Sequence, residues 1–325
     1  MNCLVTGAAG FVGSHLCSRL LDGGNKVWGI DDLSKGKLEN IEHLLTNPSF
    51  FFTVGSLADE SLLFEKMQKV DIVYHMAAVV GVKQYAEDPV KTIEVNTCQT
   101  LSLLKMAWQL KKKVLFASTS EVYGKSREVP FKEEADQVYG AAGRWCYAVS
   151  KSAAEHLCLH YARQGLPLVI VRYFNVYGPK ADNSAYGGVV ARFIKQLLSN
   201  EPLTVHGDGS QSRCFTYIED IVRGTVEAGS RPEAEGKILN LGSRREISIL
   251  ELAHVILQVS EIKGEIIFLP HSEFYGPNYE DIPRRVPDLS AAEQILGYHP
   301  RVSLEDGLQR TINWYRQKIG GSGNG

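Results

Sequence analysis

A chain of 325 residues, 44% of them hydrophobic and with a formal net charge of −2, carries enough apolar material for one large or two closely joined globular domains. The near-neutral balance supplies no basic field of the kind that holds nucleic acid or an anionic membrane, so a small-molecule partner is expected. Six cysteines stand without CxxC or CxxxH spacing, which argues against a metal site or a disulfide framework and for a reduced, cytoplasmic chain.

In chain order, short β-rich runs at Cys3–Thr6, Lys26–Asp31, Phe50–Val54, Asp71–Met76, Val114–Ser118 and Leu168–Tyr173 alternate with longer helical patterns. That rhythm predicts an α/β fold, a doubly wound parallel sheet covered by helices on both faces. Between the last two strands, Ala154, Leu157, Cys158 and Tyr161 recur at helical spacing and predict a helix over Tyr147–Gln164. After Tyr173 the rhythm changes to turn clusters at Asn175–Pro179 and His206–Ser210, with helical patterns from Ser248 and from Leu304. The expected division is a nucleotide-binding domain over 1–174 and a smaller, discontinuous mixed α/β substrate domain over 175–319. Segments near 215–241 are expected to return to the main sheet, and 320–325 to form a disordered tail. No basic leader precedes the first strand and no apolar run approaches the ~20 residues that span a bilayer, so neither secretion nor membrane anchoring is expected.

The run from Leu4 to Leu16 places Gly7, Gly10 and Gly13 at spacing three between an apolar strand and a helix. In that context Gly7 permits the tight turn, Gly10 lets a pyrophosphate approach bare backbone, and Gly13 lets helix and strand pack closely, while the helix N-terminus offers N–H groups to phosphate. The second strand ends in Asp31 and Asp32, and a carboxylate there accepts hydrogen bonds from a ribose diol and repels a 2′-phosphate, so NAD is expected over NADP. Tyr147 and Lys151 stand four apart on one helical face, downstream of Ser118–Gly124, which leaves the end of a strand. A phenol of ordinary pKa about 10 becomes a usable base near neutrality only if cations stabilise the phenolate, and Lys151 and oxidised nicotinamide can do that.

With these residues in hand the chain resembles the extended short-chain dehydrogenase/reductases, the nucleotide-sugar epimerases, dehydratases and decarboxylases, from Asn2 to about Arg316. The matching stretches are TGAAGFVG at Thr6–Gly13, DDLSKG at Asp31–Gly36, HMAA at His75–Ala78, Asn96, STSEVYG at Ser118–Gly124, YAVSK at Tyr147–Lys151, RYFNVYGP at Arg172–Pro179, HGDGSQSRCFTYIEDI at His206–Ile221 and RRVPD at Arg284–Asp288. The resemblance implies a Rossmann domain that binds NAD. Its cofactor contacts would be Gly7, Gly10, Phe11, Val12 and Gly13, then Asp31, Asp32, Leu33, Ser34 and Gly36, then Ser56, Leu57, Met76, Ala77, Ala78 and Asn96, and finally Ser118, Tyr147, Lys151, Tyr173 and Val176. Ser56 is a departure, because the family often carries aspartate there to meet the adenine amine.

By the same resemblance Tyr147 would remove the proton of a sugar 4-hydroxyl, Thr119 would bridge hydroxyl and phenolate, and Lys151 would hold the nicotinamide ribose, leaving a 4-keto sugar. Glu121 resembles the glutamate of decarboxylases and 4,6-dehydratases, whereas Ser120 departs from the Asp-Glu pair of the thymidine-diphosphate dehydratases but is compatible with the mannose-type dehydratases. Arg213 in Arg-Cys-Phe-Thr, Arg144-Trp145, and the late segment Phe274-Tyr275-Gly276 with Tyr279-Glu280-Asp281 are similar to a bacterial glucuronate decarboxylase. Substrate contacts are expected from Asn175, Arg213 and Arg285 to the diphosphate. Val189, Arg192, Thr204 and His206 would line the base and ribose, and Val82 and Lys83 the sugar, although His206 also reads as a satisfied loop histidine, Arg192 as a solvated helix charge and Lys83 as a surface lysine.

The leading expectation is decarboxylation of UDP-glucuronate to a UDP-pentose or UDP-4-keto-pentose, since a 4-ketone lies β to the carboxylate. A UDP-hexose or UDP-uronate 4-epimerase ranks second, a 4,6-dehydratase third, and a non-catalytic NAD-sensing scaffold is the non-enzymatic alternative. The resemblance also implies a homodimer that buries the helices around Thr97–Leu110 and Tyr147–Gln164. No metal is expected.

Overall fold

The structure is a computed structural model, and it describes residues 1–81, 88–182, 188–271, 273 and 280–321. Seven parallel strands form the main sheet: β1 (Asn2–Thr6), β2 (Lys26–Asp31), β3 (Phe50–Val54), β4 (Ile72–His75), β5 (Lys113–Thr119), β6 (Leu168–Tyr173) and β7 (Ile238–Leu241). Their spatial order is β7-β6-β5-β4-β1-β2-β3, so the chain reverses its direction of travel between β1 and β4. In open sheets of this kind the crevice beyond the carboxyl ends of the strands at that reversal receives the ligand.

Strand residues alternate between two cores because successive side chains point to opposite faces. Cys3, Val5, Leu115, Val169 and Val171 enter one cluster, and Leu4, Val73, Val114, Phe116 and Ile170 the other. The first face is covered by α1 (Phe11–Asp22), and the second by α2 (Glu60–Gln68), α3 (Thr100–Leu110) and α4 (Trp145–Arg163). The helix α5 (Ile218–Ser230) packs beside α1, and β7 pairs with β6 from Ile238 against Ile170 to Leu241 against Tyr173. Segment 215–241 therefore contributes a helix and a strand to the nucleotide-binding layer.

The remaining C-terminal elements build small sheets. Ser212–Cys214 pairs with Glu246–Ser248 and with Arg284–Arg285, and Leu203–His206 pairs with Ile266–Leu269. Ser248 caps α6 (Ile249–Ser260) through a reciprocal box with Glu251, which satisfies two otherwise orphaned backbone donors. The last helix, α7 (Leu304–Gly321), packs on α6. It runs to Gly321, so residues 320 and 321, expected in a disordered tail, belong to a helical turn instead. The tail residues 322–325 lie outside the described residues.

Candidate active site

The glycine turn after β1 is shaped for close approach. Gly7 adopts φ +69° and donates its N–H to the carbonyl of Ile30 at 2.8 Å. A Cβ built on Gly13 would stand 2.0 Å from the carbonyl oxygen of Gly7, so any larger residue would push α1 off the strand. Asp31 is buried at the end of β2, where its carboxylate accepts from the backbone N–H of Ala9 and of Leu33, each at 2.9 Å. Burial raises its pKa and these N–H bonds oppose the rise. Asp32 holds the following turn through Ser34, from its N–H at 2.9 Å and its hydroxyl at 2.6 Å.

These residues open onto a cavity of about 1130 Å³, which runs from Gly7, Gly10–Gly13 and Asp31–Gly36 past Leu57 and Met76–Ala78 to Ser118, Tyr147, Lys151, Tyr173 and Val176. The groove fits a dinucleotide: a bare-backbone turn faces a helix N-terminus at one end, and a tyrosine and a lysine stand at the other. Two expected contacts are placed differently. Ser56 gives way on the wall to Gly55 and Leu57, and its hydroxyl accepts from Ala58 N–H at 3.2 Å. Asn96 is buried, and its amide is spent on both backbone groups of Val79 and on Ser150 Oγ at 3.1 Å, so it fastens the loop after β4 to α4. His75 is buried, held between the hydroxyls of Thr6 at 2.8 Å and Thr100 at 3.0 Å.

At the end of β5, the Thr119 hydroxyl accepts from Glu121 N–H at 3.2 Å and also hydrogen-bonds the Tyr147 phenol. Burial, with the charge of Glu121, raises the Tyr147 pKa above its ordinary value, while Thr119 and Arg285 oppose the rise. Lys151 is 3% exposed, and its ammonium lies 4.1 Å from the centre of the Phe116 ring. Burial pushes its pKa down to about 8, against the opposing influence of Cys158 and Glu155. One helical turn further on, Glu155 receives Ser118 Oγ at 2.5 Å and the Arg172 guanidinium at 2.8 and 2.6 Å. This buried bidentate pair ties β5, β6 and α4 together one helical turn beyond Lys151.

A charged layer lies beside that triad. Glu121 is gripped by Arg144 Nη2 at 3.0 Å and Arg285 Nη1 at 2.8 Å. Burial works against its ionisation, but Arg285, Arg144 and Arg213 together outweigh it and hold the carboxyl below its ordinary pKa. Ser120 is buried with its hydroxyl 3.4 Å from Arg285. Arg213 donates to Asp281 at 3.0 Å, and Arg144 donates to the Glu280 carbonyl and stands 4.0 Å from Asp281. Trp145 Nε1 reaches the Glu280 carboxylate at 2.8 Å.

Among the remaining expected substrate contacts, Asn175 adopts φ +39° and its amide donates to the Cys214 carbonyl at 3.4 Å. Val189 opens helix Val189–Leu198, from which Arg192 reaches the Thr204 carbonyl at 3.4 Å. Burial pushes the pKa of His206 down to about 4, helped by Arg192 and His271. Asn175, Arg192, Thr204, His206, Arg213 and Arg285 stand outside the wall of the dinucleotide cavity. Val82 and Lys83 lie outside the described residues, as do residues 274–279 of the late segment. Arg144, Glu280 and Asp281 enter from the sequence only by likeness to a relative, and no spacing points to Glu155. The partners of Arg144, the Glu121 carboxylate and the Glu280 carbonyl, stand 23 and 136 residues away and leave no local pattern.

Residues 3–242 match the NAD dependent epimerase/dehydratase family. The chain belongs to this family. Its members include a UDP-N-acetyl-alpha-D-glucosaminuronate decarboxylase of Bacillus cytotoxicus, 44% identical over 97% of this chain and 98% of that protein. UDP-glucuronic acid decarboxylase 1 of Xenopus tropicalis is 36% identical over 97% of this chain and 72% of its own length. Among solved structures, a UDP-glucuronic acid 4-epimerase from Bacillus cereus in complex with UDP-glucuronic acid and NAD superposes with a TM-score of 0.88 at 35% identity, covering 98% of this chain and all of that one. The chain is thus an NAD-dependent enzyme of the epimerase/dehydratase family, and the doubly wound fold expected from the strand rhythm is the fold of its relatives.

Proposed function

We propose that this enzyme decarboxylates a UDP-linked hexuronate by way of a 4-keto sugar, with NAD as its cofactor. The observation that carries the reading is the carboxylate of Glu121 locked between Arg144 and Arg285 beside Tyr147. A 4,6-dehydration needs a protonated acid to help a hydroxyl leave, and here Ser120 offers a weak hydroxyl and Glu121 is held ionised. Loss of carbon dioxide needs no such acid. Arg144, Arg213 and Arg285 gather guanidinium groups beside Glu121 and Asp281, a setting suited to an anionic uronate.

NAD, when bound in the groove, supplies a hydride acceptor for C4. Gly7, Gly10 and Gly13 admit its diphosphate to the backbone, and Asp31 selects it over NADP. Tyr147, hydrogen-bonded to Thr119, takes the 4-hydroxyl proton, and Lys151 supplies the positive charge that stabilises the phenolate. With C4 as a ketone, the C5–carboxylate bond breaks and its electron pair passes into the C4–C5 enolate. Carbon dioxide leaves, and a proton adds at C5 to give a 4-keto-pentose nucleotide. Arg213, Arg285 and Asn175 bind the diphosphate, and Arg192, Thr204 and His206 the nucleoside. The named relatives, decarboxylases of UDP-glucuronate and UDP-N-acetylglucosaminuronate, support this assignment.

The test is mass spectrometry of products after incubation with NAD and each of those two substrates. Loss of carbon dioxide is expected, and Tyr147→Phe abolishes it. An intact six-carbon epimer establishes instead the second reading, a 4-epimerase, which the likeness to the Bacillus cereus epimerase favours. Wild-type enzyme that binds NAD but turns over neither substrate would leave only an NAD-sensing scaffold.

We further infer a homodimer through α3 and α4, where Trp108 is 49% and Val149 42% exposed. A monomer mass in light scattering removes that inference. A cytoplasmic location is consistent with the cysteines, all free, and with the finding that among the described residues no helix is long and apolar enough to cross a membrane.

A further inference from the structure

The dinucleotide cavity has a second wall, made by the chain after β6. The short strand Val176–Tyr177 is followed by Gly178, Pro179 and Lys180, and Lys180 is held at φ +68°. A left-handed backbone at a residue with a long side chain is a strained arrangement that the surrounding structure has to maintain. It delivers the half-buried Lys180 ammonium to the same cavity wall as Gly10, Gly13 and Lys37.

Its ammonium donates to a neutral group, the Asn40 carbonyl at 2.8 Å. Asn40 in turn donates its side-chain amide to the Ala9 carbonyl at 2.8 Å, and the N–H of Lys37 reaches that carbonyl at 3.0 Å. Lys180 is thus fastened, two hydrogen bonds away, to the turn that faces the N-terminus of α1. Among the described residues no carboxylate lies within ion-pair distance of it. Of the acids on this wall, Asp31 is engaged on Ala9 and Leu33, Asp32 on Ser34, and Glu39 on Lys318 at 2.8 Å, and Asp182 stands two residues further along the chain. Burial, helped by the neighbouring Lys318 and opposed by Cys17, brings the ammonium down to a pKa of about 8. A half-buried cation on a cavity wall with only a carbonyl for company is a site that lacks its anion.

We propose that Lys180 is a ligand of the dinucleotide's diphosphate, completing the anion site that the glycine turn opens. The proposal rests on the assignment of NAD to this groove. The substrate's own diphosphate is the other source of the same chemistry, but its expected ligands Arg213, Arg285 and Asn175 stand outside this wall.

Calorimetric titration of the cofactor-free enzyme with NAD, adenosine and UDP tests it, using Lys180→Gln, which keeps a donor for Asn40, and Lys180→Arg. Loss of a charge-assisted contact to phosphate should weaken NAD binding by about tenfold in Lys180→Gln. Adenosine and UDP should bind as in the wild type, and Lys180→Arg should regain most of the NAD affinity. NAD binding within twofold of wild type in Lys180→Gln overturns the proposal. So does a loss confined to UDP, or one shared equally by adenosine, which would mark a substrate contact or a structural role. Wild-type enzyme that binds no NAD at all would instead defeat the functional assignment beneath it.

Discussion

Replacing Lys151 with methionine separates what that residue does for catalysis from what it does to stability. The ammonium is buried at 3% exposure and its pKa falls from 10.5 to about 8, with burial the largest cause. Each pKa unit corresponds to about 1.4 kcal/mol, so holding the charge inside the folded protein costs roughly 3 kcal/mol. Attraction to the Phe116 ring at 4.1 Å offsets part of this, by ~1–2 kcal/mol for a desolvated pair. Methionine keeps the apolar stem and carries no charge. The cofactor-free variant should therefore be more stable than wild type at pH 7 by about 1–3 kcal/mol, or about 1.5–4.5 °C in thermal unfolding for a chain of this size. The folded pKa lies below the unfolded one, so the unfolded chain holds the extra proton between pH 8 and 10.5. Wild-type stability then rises with pH through that window, and the gap to the variant closes near its upper end. Turnover of the nucleotide sugar should fall at least ~100-fold, in the range seen on losing acid–base assistance. A variant less stable than wild type at pH 7, with a gap that does not change up to pH 10.5, would refute the reasoning.

Gly13→Ala should abolish NAD binding measured by calorimetry, since its Cβ would meet the Gly7 carbonyl at 2.0 Å and backbone cannot yield as a flexible side chain does; unaltered affinity would show the turn to be more plastic than its geometry. Glu155→Gln leaves Arg172, 2% exposed, without its anion, and should cost about 3–5 kcal/mol in denaturant unfolding; a loss below about 1 kcal/mol would contradict a buried pair of that kind. Glu121→Gln removes the negative charge that, after burial, raises the Tyr147 pKa, so the phenol should titrate at lower pH. Ultraviolet difference titration against a Glu121→Gln/Tyr147→Phe double variant reads this, and an unmoved transition would disprove the coupling.

The strands were readable because the sheet is buried on both faces, which leaves short continuous apolar runs bounded by turns. Lys26–Asp31, Phe50–Val54 and Leu168–Tyr173 fall where the sequence places them. Asp71–Met76 shortens by one residue at each end, because pairing with β1 stops at His75. The glycine turn and the Tyr147–Lys151 pair were readable as local spacings. Ser56 and Asn96 entered by position in a motif, and the structure spends their side chains on neighbouring backbone, with one further bond from Asn96 to Ser150. The grip on Glu121 and the tie of Lys180 to Asn40 had no local signature. They join residues 23, 164 and 140 apart in sequence, and they exist because Arg284–Arg285 pairs with Ser212–Arg213 and because the chain after β6 folds back on the turn after β2.

One helix serves both halves of the site, and this constrains how the family's chemistry can vary. The first turns of α4 aim Tyr147 and Lys151 at the dinucleotide cavity, while Trp145 at its first position and Arg144 just before it reach Glu280, Asp281 and Glu121. One helical turn beyond Lys151 the Glu155–Arg172 pair and Ser118 fix the helix to β5 and β6, so Tyr147, Thr119 and Lys151 cannot shift relative to one another without breaking a buried ion pair. The oxidising half is therefore rigid. The charged half depends on side chains from a separate segment, 280–285, that can be exchanged without touching that frame. Substitution at Arg144 should accordingly change the fate of a 4-keto sugar more than its formation, and the ratio of decarboxylated to six-carbon products is where that difference would appear.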